Sequence, residues 1–144
     1  MAVYEVGILI NGIPAVSKTY YSEAFTELDE KLRTGLITAI QGFAIEAFSD
    51  EIDTVQMKHF IIASVARKKE NCIFTAFAIF DKKTNVQIIR KNLLTILNQF
   101  LEKYPITSEL NLEKESFNEF LPSIDQVMQG IALKPEDKIK RIFG

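Results

Sequence analysis

The sequence predicts an α+β domain: a five-stranded antiparallel sheet flanked by helices on both faces, in the order β-β-α-β-β-β-α-α. Three observations predict it. Asn11-Gly12 separates two runs of β-formers, VYEVGILI and IPAVSKTYY, and this is a strong hairpin signal because both central residues of a type I′ turn need positive φ. Residues 22–48 run without proline and carry apolar side chains at helical spacing. The run CIFTAFAIF is apolar at both parities, and a strand with two apolar faces must be central in a sheet that is covered twice.

The elements follow in order. Pro14 in the second strand cannot donate to a ladder, so that strand is expected at a sheet edge. Ser22 is a candidate N-cap for the first helix, with Glu23, Glu27, Asp29 and Glu30 suited to the positive end of its dipole. On a 100° wheel Phe25, Leu32, Leu36, Ala39, Ile40, Phe43 and Ala47 form one stripe, the face expected against the sheet. Ile37, Ala44, Ile45 and Phe48 extend beyond it. Either the domain's own sheet or another chain could bury that excess. Gly35 and Gly42 share nearly one side of this helix. Glycine weakens a helix, so the pair points to close approach of another backbone, its own strand in the first instance or else a second subunit.

Residues 52–67 are strand-like but exceed the usual strand length of roughly 5–6 residues, so two strands turning near Lys58-His59 are expected, with one long bent strand as the alternative. After KKEN comes the doubly apolar strand, with Cys72, Phe74, Ala76, Ala78 and Phe80 on one side and Ile73, Phe77 and Ile79 on the other. Residues 85–104 place Ile89, Leu93, Leu97 and Phe100 at helical spacing and stop at Pro105. A polar connection over 106–115 leads to a shorter helix over 116–130, in which Pro122 marks a kink or a later start. Residues 1–130 are thus expected to form a single domain, and 131–144 a tail that is either free or docked.

Bulk properties exclude several function classes. The 144 residues are 47% apolar and 25% charged, ordinary for a folded domain in water. The net charge of -2 is too balanced for the basic field that phosphate-backbone binding requires, so nucleic acid is not an expected partner. The basic groups Arg67-Lys68-Lys69, Lys82-Lys83 and Arg90-Lys91 fall where turns or helix starts are expected and read as solvated edges. One cysteine excludes an internal disulfide framework. The start MAVYEVGILI lacks the basic region of a secretory signal, and no common lipidation motif is present. A cytoplasmic protein, meeting membranes only indirectly, is the expectation.

No catalytic, cofactor-binding or metal-binding residues are expected. His59, the sole histidine, lies near a predicted turn and reads as a surface residue. Cys72 reads as core. Glu46, Asp50, Glu51 and Asp53 lack the alternating spacing of a calcium loop and read as a solvated connection. The glycines are scattered, so no phosphate cradle is formed.

The predicted order of elements resembles the longin domain. The stretch GLITAIQGFAIEAFSDEIDTVQM, followed by HFIIASVARK and CIFTAFAIFDKK, is similar to longin/roadblock-type proteins abundant in archaea related to the eukaryotic lineage. The likeness covers about residues 3–130. It implies a non-enzymatic adaptor linked to small-GTPase regulation or trafficking-like complexes, whose partner is a small GTPase or another longin/roadblock chain in a homo- or heterodimer. It also implies a pairing surface on the first helix and third strand, at Ile37, Gln41, Ile45, Phe48, Val55 and Met57. No SNARE helix follows in this sequence, which counts against a role in membrane fusion. The competing reading is a small-molecule-sensing domain of PAS or profilin-like type, which would need an apolar cavity of several hundred Å³.

Overall fold

The computed structural model describes residues 2–20, 30–105 and 117–129. Its elements are β1 (Val3–Ile10), β2 (Ile13–Thr19), α1 (Glu30–Phe48), β3 (Thr54–Gln56), β4 (Ile61–Lys69), β5 (Cys72–Phe80), α2 (Val86–Lys103) and α3 (Leu121–Met128). The strands form one antiparallel sheet in the order β2-β1-β5-β4-β3. The proposed N-cap Ser22, with Glu23, Phe25, Glu27 and Asp29, the connection over 106–115 and the tail over 131–144 lie outside the described residues.

The opening hairpin forms as the turn chemistry requires. Asn11 and Gly12 have φ of 52° and 80°, the Asn11 side chain accepts a bond from the Ile73 amide at 2.9 Å, and the Asn11 amide donates to the Ile73 carbonyl. Pro14 is accommodated because β2 is an edge strand, with a register shift at Ile8/Leu9 beside it. Residues 52–67 divide into β3 and β4 around residues 57–60, and β3 forms the other edge.

β5 occupies the centre, and its two sides feed two separate cores. Phe74, Ala76, Ala78 and Phe80 join Val6, Ile8, Ile10, Ala63 and Val65 beneath α2 and α3. There Phe100 lies within 5.3 Å, centroid to centroid, of Tyr104, Phe117 and Phe120. α2 starts at Asn85, whose side chain accepts from the amides of Gln87 and Ile88. Just upstream, burial pushes the Asp81 carboxyl up. Hydrogen bonds from the Thr84 hydroxyl and from the Ala2 and Thr84 backbone outweigh that effect and hold it below its ordinary value. Pro122 stands in the first turn of α3, after a 3-10 turn at Asn118–Phe120. A missing N–H costs nothing at that position, so the helix starts late instead of kinking. Tyr20 and Lys18 hold α3 to the β2 side through Asp125, at 2.8 and 3.9 Å.

Two sequence expectations are corrected here. The first helix does not turn its most apolar stripe to the sheet. Leu32, Leu36, Ala39, Phe43 and Ala47 are exposed, while Thr34, Ile37 and Ala44 are buried and Arg33, Ile40 and Gln41 are half-buried. The buried arc lies roughly a third of a turn from the predicted one. Gly35 and Gly42 do not meet a strand either: a Cβ at either position would find nothing within 4 Å.

Candidate functional site

A buried ion pair ties α1 to the sheet. Glu5 sits mid-strand in β1 with its side chain wholly buried, and Arg33 of α1 meets it through Nε at 2.7 Å and Nη2 at 3.3 Å. A buried carboxylate without a partner is costly, so the pair favours the orientation that keeps Arg33 inward. With Arg33 fixed inward, residues one and two turns on follow it. Ile37 enters a small cluster with Leu9, Ile62, Phe77 and Ile79, and Gln41 donates to Ser64 Oγ at 2.7 Å. The wheel missed this because it weighed apolar area alone; the acid inside VYEVGILI was the signal that an inward basic residue was needed.

The consequence is an apolar outer face on α1. Leu32, Phe43 and Phe48 are 65, 67 and 74% exposed, with Leu36 and Ile45 also open. Phe43 and Phe48 meet edge to face at 6.4 Å. Single exposed apolar residues are normal, as Ile88 and Leu94 on α2 are; several large ones on one helix are not.

The implied pairing residues are divided by the structure. Ile45 and Phe48 are exposed and Met57 is open at the β3 edge. Val55 is half-buried against the Ile37 cluster, and Gln41 is occupied by Ser64. Ile37, at 4% exposure, is core and is withdrawn from the surface set. Leu32, Leu36 and Phe43 take its place.

A second feature lies between α1 and the sheet. Phe77 stands opposite Gly7 and Ser64 and its ring fills the space over Gly7, where a Cβ would lie 2.8 Å from it. One register step further, Leu9, Thr75 and Ala66 align across β1, β5 and β4. They face Thr38, Gln41, Gly42 and Ile45 of α1 across a cavity of about 490 Å³.

The basic residues correct one further expectation. Arg90 is not a solvated edge: it reaches from α2 to the Asp53 carboxylate at 3.3 Å and to the carbonyls of Asp53 and Ser64, tying α2 to the β3–β4 side. Lys68, Lys69, Lys82 and Lys83 are exposed. His59 is exposed, and Cys72 is half-buried against the α2-side core. Among the described residues no group of three or more His, Cys, Asp or Glu side chains is placed to hold a metal ion, and no helix is long and apolar enough to cross a membrane. The chain matches no protein-family model and no curated protein.

Proposed function

We propose that this chain is a non-enzymatic protein-interaction module of longin-like architecture that docks its partner on the outer face of α1. The observation that carries the proposal is the exposed stripe Leu32, Leu36 and Phe43, with Ile45 and Phe48 exposed further round the helix. Full burial of one such side chain contributes about 1.5–3 kcal/mol, so covering the group supplies a substantial part of a binding free energy. Gly35, where a Cβ would find nothing within 4 Å, would let a partner's backbone come close. The sequence resemblance supports the partner class: a small GTPase, or a second chain of longin/roadblock type including another copy of this one. It also supports a cytoplasmic setting in regulation or trafficking-like assembly.

Pull-down with small GTPases loaded with either nucleotide, together with self-association measurements, tests this. Association with one of these classes is expected to weaken at least tenfold in Ile45→Asp and Phe43→Asp. Unchanged association in both variants would remove α1 as the docking element.

A second reading has its own observation. The cavity under α1 falls within the range of small-molecule sites, roughly 300–1,000 Å³, and favours ligand sensing over a packed interior on that side.

A further inference from the structure

We infer that the cavity between α1 and the sheet binds a small amphiphile with an apolar body and a single carboxylate. This inference stands on the ligand-binding reading of the cavity, which shares Ile45 with the exposed group on α1. The space opens to solvent, with Gly42, Ile45, Ala66 and Ile73 all exposed. Gly42 and Thr38 line it with Ala66 and Thr75, while the ring of Phe77 fills the adjoining register position over Gly7. The space is therefore a consequence of the side chains chosen. Leu9, Ile45 and Ile73 supply apolar walls.

Polar groups converge on the same space. Thr75 is about nineteen-twentieths buried, with 5% exposure, and its hydroxyl has no hydrogen-bond partner among the described residues. An accepting ligand atom would give that hydroxyl a partner. Gln41 gives one amide hydrogen to Ser64 and so retains a second donor. Lys68 stands opposite Ile73 and Thr75 opposite Ala66 on adjacent strands, so Lys68 and Thr75 are diagonal neighbours on one face, about 7–8 Å apart. One carboxylate can approach both. Glu51 lines the other side of the cavity and would repel a second anionic group, which selects a monoanion.

Titration of the full-length chain with decanoate, followed by calorimetry and by amide chemical shifts, tests the inference, with decylamine as the cationic counterpart. The expected result is one decanoate per chain, with shifts centred on Gly42, Ala66 and Thr75. Binding should fall about tenfold in Thr75→Val, which keeps the shape and removes the hydroxyl. It should disappear in Gly42→Leu, a variant whose new side chain enters space where its Cβ meets nothing. Equal or tighter binding of decylamine would overturn the carboxylate while leaving a ligand cavity in place. Binding of neither probe would overturn the ligand-binding reading itself. Shifts centred on Leu36 and Phe43, lost in Phe43→Asp, would place the probe on the outer face of α1 and also overturn the inference.

Discussion

The two faces of the sheet are covered by different means. Beneath α2 and α3, large residues from every layer interlock, with Phe74, Phe80, Phe100, Phe117 and Phe120 all buried. Beneath α1 a small cluster around Ile37 and Phe77 is joined by a buried ion pair and a cavity, and the helix carries more apolar area outside than in. The α2 side is a core in the ordinary sense and holds the fold. The α1 side is specified by charge at Glu5–Arg33 and by small residues, and leaves both its outer face and its underside open to other molecules.

The largest effect should fall on the packed side. Phe100→Ala removes a ring that four other aromatic rings surround and should cost about 4–5 kcal/mol, the upper part of the range for buried aromatic truncation, measured by urea unfolding. A loss below about 2 kcal/mol would mean that the α2 core is looser than its geometry. Next, Arg33→Ala strands a buried carboxylate and should cost about 3 kcal/mol. Replacing the pair together, as Glu5→Leu with Arg33→Met, should recover most of that loss while freeing α1 to rotate. If Arg33→Ala is neutral, the ion pair does not set the helix.

Smaller effects sharpen the contrast. Gly35→Ala should raise the melting temperature by an amount matching about 0.5–1 kcal/mol, because its Cβ meets nothing and alanine favours the helix. It should at the same time weaken any association that uses close backbone approach. Asp81→Asn bears on the entrance to α2 and should have the least effect. Asp81 has a folded-state pKa below its unfolded value, so its charge contributes stability above the unfolded value of about 3.9. That contribution disappears as pH falls through the folded value. The stability difference between native and variant should therefore hold from pH 7 to 5 and shrink below about pH 4.

Much of the fold was legible because local signals and global pattern agreed. Asn11-Gly12 demanded its turn, Pro14 its edge, and the two apolar parities of residues 72–80 a central strand covered twice. The α2 side was readable for the same reason: Ile89, Leu93, Leu97 and Phe100 form a stripe with no competing one. On α1 the stripe competed with a charge whose partner lies 28 residues earlier in the chain. A wheel drawn on one helix cannot register a neighbour on another element, so it turns the exposed stripe inward. The cavity was out of reach for a similar reason. It arises from the alignment of Leu9, Thr75 and Ala66 under Gly42, which exists only once three strands and a helix have found their register.

The central claim, that the apolar outer face of α1 is a docking surface and not a misplaced core, is tested most directly with Leu36→Glu. Its unfolding free energy and its sedimentation should be measured beside those of the native chain at concentrations of a few to several hundred micromolar. The native chain should form a defined complex with itself or with the small GTPase identified by pull-down. The variant should remain monomeric, or free of that partner, and unfold within about 0.5 kcal/mol of the native monomer, as an exposed substitution does. A variant that associates as the native chain does, or that loses more than about 2 kcal/mol as a monomer, would contradict the claim.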